Sequence, residues 1–152
     1  MPEILLAKRP KVSGKPQLQE TLLGHSQNVV ESFECLFGNE AKPTRLSEQW
    51  LRFFRLEEKE KFFVNGLAAC ALHDIGKANS GFQETIKQPG GTQVVRHEHL
   101  SGLLLWMPEI KKWLTTIQNL DAEVVISAVI CHHLKANAEG FPKKYLDRYH
   151  FK

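Results

Sequence analysis

An apolar run in the middle of the sequence ends abruptly in a histidine and an aspartate, and this feature narrows the folds that the chain can adopt. Residues 61–72 read KFFVNGLAACAL, which is apolar nearly all round and shows no strand-like alternation. The pattern predicts a central, buried helix. His73 and Asp74 follow at once, and burial of either side chain without a partner costs free energy. The sequence therefore predicts that hydrogen bonds or a cation satisfy this pair.

A second apolar segment also ends in a pair of polar residues that can bind metals. Residues 122–131, AEVVISAVIC, lead directly into His132 and His133. The β-branched residues of this segment would also suit a strand. Its length favours a helix, and Asp121 in front of it is a typical N-cap residue. The sequence thus predicts two apolar helices that each end in a histidine-containing pair.

Helical patterns also run through the remainder of the chain. Apolar positions in residues 18–37 follow a helical stripe that Gly38 can end. Ser47 is expected to cap the next helix, and Gly76 is expected to end the central one. Residues 79–95 are rich in turn residues and predict a loop with a short helical piece. The predicted fold class is all-α, a bundle of about six helices in one domain.

The composition sets further limits on function. A chain of 152 residues fits one domain, and a net charge of +3 permits an anionic partner without indicating a polybasic binding arm. The sequence shows no signal-peptide pattern and no apolar run of membrane-spanning length. Cys35, Cys70 and Cys131 lack the spacing of a zinc site or a redox motif. They predict buried, reduced thiols in a cytoplasmic protein that has no membrane partner.

Most of the histidines lie in or beside the apolar segments. Neutral imidazole is the commonest metal ligand, and a carboxylate can bridge two ions. A hydrogen-bonded His73–Asp74 pair without a metal is a fair alternative for those two residues taken alone. So many buried polar groups would each need a partner, whereas one shared metal cluster would satisfy them together. The histidines concerned are His25, His73, His97, His99, His132 and His133.

Four motifs in the sequence resemble those of one protein family. They are LLGHSQNV, HDIGKANSGFQ, RHEHLSG and CHHLK, in this order. Together they are similar to the HD nuclease domain of the type I CRISPR-associated helicase–nuclease, within the superfamily of HD-domain metal-dependent phosphohydrolases. The resemblance covers about residues 5–135. It implies an HD-domain helical bundle, with residues 1–152 forming a single HD nuclease domain in the N-terminal part of a longer protein.

The resemblance implies a site that holds two divalent ions. The RHE context favours His97 over its neighbour His99 as a ligand. A mixed imidazole and carboxylate set favours transition metals, so that iron, manganese, nickel and cobalt all fit. The implied ligands of the first ion are His25, His73 and Asp74, and those of the second are the bridging Asp74, His97, His132 and His133.

The resemblance also implies catalytic and substrate-binding residues. Asp74 and Lys77 would be catalytic, with Lys77 near the phosphate; a lysine that interacts with a helix dipole explains Lys77 equally well from the sequence alone. Apart from the resemblance, Lys135 is a candidate contact for the phosphates of single-stranded DNA, and Phe82 or Phe141 is a candidate for stacking on a base. A solvated basic tail and ordinary aromatic packing explain any one of these residues better. The family completes the first ion's ligands with an aspartate from a later helix, and Asp147 lies too early to match it.

The function implied by the resemblance is metal-dependent hydrolysis of phosphodiester bonds in single-stranded DNA, by an endonuclease or exonuclease of type I CRISPR interference. The implied partners are single-stranded DNA, an SF2 helicase domain or subunit, and a CRISPR RNA-guided surveillance complex. Two alternatives stay open at this point. They are an HD-type nucleotide phosphohydrolase and a catalytically silent HD module that docks in a larger complex.

Overall fold

The structure, a computed structural model, describes residues 4–12, 14–87 and 95–133. Within these ranges the chain forms seven α-helices, two short 3₁₀ turns and no β-strand beyond two isolated bridges. The predicted all-α class is confirmed, with one α-helix more than the sequence indicated. The helices are α1 Leu22–Phe37, α2 Arg45–Phe53, α3 Lys59–Leu72, α4 Ser80–Lys87, α5 His97–Trp106, α6 Pro108–Leu114 and α7 Ala122–Cys131, and the 3₁₀ turns are Leu18–Glu20 and Ile75–Ala78.

The hydrophobic core lies where α3, α5 and α7 meet. Helix α3 packs against both α1 and α7, and α5 packs against α7. Asp121 caps α7 as predicted, because its Oδ1 accepts hydrogen bonds from the backbone amides of Glu123 and Val124. The two apolar segments found in the sequence are therefore central helices of the fold. The fully buried core residues include Leu105, Leu114, Val125, Ile126 and Val129.

Two predicted helix boundaries were wrong, and in both cases a neighbouring residue takes the expected role. Thr44 caps α2, because its Oγ1 accepts a hydrogen bond from the Ser47 amide at 3.3 Å. Ser47 lies one turn inside the helix and donates its hydroxyl to the Thr44 carbonyl. Helix α3 ends at Leu72 rather than at Gly76, which lies within the following 3₁₀ turn.

The cysteines are less buried than the sequence suggested. Cys35 and Cys131 are exposed and Cys70 is half-buried, and all three are free thiols. Partial burial raises the pKa of the Cys70 thiol above its ordinary value. The prediction of three buried thiols was therefore wrong for two of them. Among the described residues, no helix has both the length and the apolar character needed to cross a membrane.

Candidate metal centre

Asp74 lies at the centre of the site, immediately after the end of α3. Its side chain is 2% exposed. The Oδ2 atom lies 2.6 Å from Lys77 Nζ, 3.1 Å from His25 Nε2 and 3.2 Å from His73 Nε2. His25 comes from α1, so this half of the site joins α1 to the end of α3.

The other carboxylate oxygen, Asp74 Oδ1, faces the second half of the site. His97 Nε2, from the start of α5, lies 3.1 Å away, and His132 Nε2, just after α7, lies 3.5 Å away. All three atoms are buried, and none has an aligned hydrogen-bond partner among the described residues. Buried polar atoms are rarely left unpaired. Three such atoms that converge without pairing with one another fit a cation held between them.

Gly76 allows the two halves of the site to approach this closely. Its amide donates a hydrogen bond to Ser101 Oγ at 2.8 Å, which fixes the 3₁₀ turn against α5. A Cβ atom at this position would overlap the His97 carbonyl oxygen and the Ser101 backbone nitrogen. Glycine is therefore required here for a close approach of two backbones rather than for ending a helix.

The candidate ligands fall into two groups that share Asp74. Within each group the ligand atoms all lie within 4.8 Å of one another. These are the two sets that the family resemblance implied, and their role as metal ligands stays a prediction. Asp147 lies outside the described residues. The first group contains His25, His73 and Asp74, and the second contains Asp74, His97, His132 and His133.

Two of the imidazoles are held in a defined orientation by the helices that precede them. His73 Nδ1 donates to the Cys70 carbonyl at 2.7 Å, and His132 Nδ1 donates to the Val129 carbonyl at 2.6 Å. The last carbonyls of a helix have no partner within the helix, so they are free to accept these bonds. A neutral ring with its proton on Nδ1 can offer its Nε2 lone pair to an ion beside Asp74. This is the tautomer that binds a metal through Nε2.

The electrostatics of the site also suit a cation. Burial raises the pKa of Asp74, but contacts with His73, His97 and Lys77 outweigh burial and hold this pKa well below its ordinary range. Burial lowers the pKa of His25, and burial together with the neighbouring imidazoles of His132 and His97 lowers the pKa of His133. An ionised carboxylate and neutral imidazoles are the protonation states in which these groups bind metals.

The remaining candidate residues differ in their exposure and in their distance from Asp74. Lys77 contacts Asp74 directly, so its ammonium group has a more specific partner than a helix dipole. His99 is exposed and belongs to neither ligand group. Phe82 is buried at 7% exposure, which agrees with the aromatic packing role that the sequence favoured for it. Lys135 and Phe141 lie outside the described residues.

Two buried polar residues around the site were not singled out from the sequence. Gln83 exchanges two hydrogen bonds with the backbone of Leu6 and donates a third to the Lys77 carbonyl. Glu98 lies next to His97 and forms an ion pair with Arg96. Both residues belong to the quoted motifs HDIGKANSGFQ and RHEHLSG. Neither residue stands out locally, because Gln83 lies between Phe82 and Glu84, and Glu98 lies between His97 and His99.

Comparisons with known proteins identify the family to which the chain is similar. The family described as "Cas3, HD domain" matches residues 7–149. A protein of Myxococcus xanthus (strain DK1622) named "Putative CRISPR-associated nuclease/helicase Cas3" is 33% identical over 140 residues, which is 90% of this chain. The match covers 18% of that relative's own length. No solved structure matches the chain.

Proposed function

The chain belongs to the Cas3 HD-domain family, and from this premise we propose that it is a metal-dependent nuclease that hydrolyses phosphodiester bonds of single-stranded DNA in type I CRISPR interference. One observation carries the proposal: a single buried carboxylate, Asp74, is shared by two groups of potential metal ligands. A shared carboxylate between two ligand sets is suited to a two-metal centre for phosphodiester hydrolysis.

The residues of the two groups would hold two divalent ions of the transition type, such as iron, manganese, nickel or cobalt. When bound, the ions would supply a water of lowered pKa and neutralise charge on the scissile phosphate. Asp74 would link the two groups, since each of its oxygens faces a different one. The rest of the mechanism then depends on how the chain presents this cluster to the substrate.

The exposure of the ligands indicates the side from which a phosphate approaches. The His25 side chain is 34% exposed and His133 is exposed, whereas the His132 side chain is only 17% exposed. His25 and His133 thus form the open rim of the site. A polynucleotide strand, whose phosphates lie on its outside, reaches this rim without entering the core.

Lys77 is placed to act on the phosphate. Its side chain is 11% exposed, and its Nζ atom lies 2.6 Å from Asp74 Oδ2. We expect it to donate a charge-assisted hydrogen bond to a phosphate oxygen when the substrate is bound. Gln83 supports this position, because it fixes the Lys77 carbonyl and the N-terminal segment to each other.

Replacing Lys77 with methionine is predicted to change metal binding and cleavage in opposite directions. A cation at Asp74 Oδ2 meets the repulsion of the Lys77 ammonium, so its removal should tighten Mn²⁺ binding by about tenfold. Loss of the hydrogen bond to the phosphate should lower the cleavage rate by about 10–100-fold. Lys61→Met is the control, since Lys61 is a surface lysine paired with Glu58. A parallel loss of both properties in Lys77→Met would contradict this role.

The partners of the proposed nuclease follow from the family. The Myxococcus xanthus relative carries "nuclease/helicase" in its name, and this chain spans 18% of it. We propose that an SF2 helicase domain or subunit delivers single-stranded DNA to the site, after recruitment by a CRISPR RNA-guided surveillance complex. Lys135, just beyond the second histidine pair, is a proposed contact for that strand.

The test is cleavage of circular single-stranded DNA by the purified protein with Mn²⁺, compared with phosphate release from nucleotides. EDTA-sensitive conversion of the circle to shorter products supports the nuclease proposal and shows endonuclease activity. Phosphate release from nucleotides alone would instead identify a nucleotide phosphohydrolase. Inactivity on both substrates with manganese, iron, nickel and cobalt would identify a catalytically silent module.

A further inference from the structure

The histidines that converge on Asp74 are not all held in the same way. His73 and His132 follow the ends of helices and use carbonyls that the helices leave free. His97 is instead the first residue of α5, so no preceding helical turn offers it a carbonyl. A neighbouring side chain can provide an acceptor for His97 Nδ1 instead.

Glu98 provides a carboxylate close to His97 Nδ1. Its Oε2 atom lies 3.5 Å from His97 Nδ1, and its Oε1 atom forms an ion pair with Arg96 Nε. The Glu98 side chain is 3% exposed, and Oε2 has no hydrogen-bond partner in the part of the chain that the structure describes. Burial of an incompletely paired carboxylate costs folding free energy. Stability alone therefore does not explain why Glu98 is buried here.

We propose that Glu98 is a positioning residue for His97, and that Arg96 holds the Glu98 carboxylate in place. When Glu98 accepts the Nδ1 proton, Nε2 is the His97 nitrogen that can bind an ion beside Asp74 Oδ1, which lies 3.1 Å away. A carboxylate behind a metal-bound histidine fixes its tautomer and raises its basicity. This inference rests on the metal centre proposed above but not on the identity of the substrate.

The pKa of Glu98 agrees with this role. Burial raises it, but the residue's own backbone amide, His97 and Arg96 outweigh burial and keep the pKa below its ordinary value. The ion pair with Arg96 provides a positive partner for the Glu98 carboxylate. An ionised carboxylate accepts the Nδ1 proton better than an amide would.

The experiment compares Mn²⁺ affinity and metal-free stability in Glu98→Gln and Glu98→Ala. Both are made in a His25→Ala background, so that only the ligand group with His97 remains complete. Free Mn²⁺ is followed by electron paramagnetic resonance, and urea unfolding is measured in EDTA. Glu109→Ala is the matched control, because Glu109 is exposed and lies in the first turn of α6, as Glu98 lies in the first turn of α5.

We expect Glu98→Ala to weaken Mn²⁺ binding by about 10–100-fold and Glu98→Gln to weaken it less. The metal-free Glu98→Gln protein should unfold at the same urea concentration as its parent or at a higher one. A merely structural residue would give the opposite pattern, with lower stability and unchanged affinity. Mn²⁺ affinity of both Glu98 variants within twofold of Glu109→Ala would overturn the inference. If Glu98→Ala does not fold, Glu98→Gln alone decides the outcome. Failure of the nuclease test would leave this binding result intact.

Discussion

Replacing Asp74 with alanine is expected to abolish both metal binding and DNA cleavage. Asp74 is the one residue that belongs to both ligand groups found in the described ranges, so its loss removes a ligand from each ion at once. A metal centre contributes several kcal/mol to stabilising the charge of a transition state. Because each 1.36 kcal/mol corresponds to a tenfold change in rate, cleavage should fall by about 10³-fold or more. Mn²⁺ titration and gel assays of circular single-stranded DNA measure the two effects.

The same substitution also leaves charged and polar neighbours without their partner. Lys77 would keep a largely buried ammonium group with no counter-ion from Asp74, and this arrangement destabilises the fold. Asp74→Asn preserves the shape of the side chain and is the second variant if Asp74→Ala does not fold. His99→Ala is the control, because His99 is exposed and lies two residues from His97. Its cleavage rate should stay within about twofold of the parent, and equal losses in the Asp74 and His99 variants would exclude the proposed site.

Replacing Gly76 with alanine is expected to lower both the stability of the fold and its affinity for Mn²⁺, and this is the second largest effect that we predict. The added methyl group would overlap the His97 carbonyl oxygen and the Ser101 backbone nitrogen. Neither backbone atom can move without shifting α5 away from the 3₁₀ turn. Overpacking of this kind lowers the free energy of unfolding by about 1–3 kcal/mol. We expect a loss near the upper end of this range, because the added methyl group meets backbone atoms rather than a flexible side chain. The shift would also move His97 away from Asp74, so Mn²⁺ affinity should fall together with stability.

Gly81→Ala provides the matched control for Gly76→Ala. Gly81 is exposed in α4, and the nearest atom to its added methyl would be Asn79 Oδ1 at 3.2 Å. The substitution also restricts the unfolded chain, which favours folding. The free energy of unfolding, measured by urea titration, should therefore change by less than about 1 kcal/mol for Gly81→Ala. If Gly76→Ala were as mild as Gly81→Ala, the close contact between the 3₁₀ turn and α5 would not be essential.

The sequence predicted those parts of the fold that local patterns determine. The apolar composition of residues 61–72 and 122–131 was enough to place two central helices, and the carboxylate of Asp121 was enough to place a helix start. These features depend on residues within one or two turns of each other. A shared cluster of histidines was predicted from the number of polar groups beside apolar segments. Their division into two ligand groups came from the family resemblance, since spacing alone cannot place α1, α5 and α7 next to one another.

Contacts between distant parts of the chain explain what could not be predicted. Gly76 matched a helix-end residue by type, but its neighbours are His97 and Ser101 of α5. Gln83 bonds to Leu6, 77 residues away, and nothing local to either residue indicates this bond. Glu98 resembles an ordinary charged residue in the first turn of a helix until its burial beside Arg96 is seen. Such roles depend on tertiary packing rather than on local propensity.

The most direct measurement is anomalous X-ray scattering from crystals of the protein grown with Mn²⁺. Two manganese peaks are expected on opposite sides of the Asp74 carboxylate. One should be coordinated by His25 and His73, and the other by His97, His132 and His133. A single peak, or peaks that do not share Asp74, would contradict a two-metal centre built on this residue.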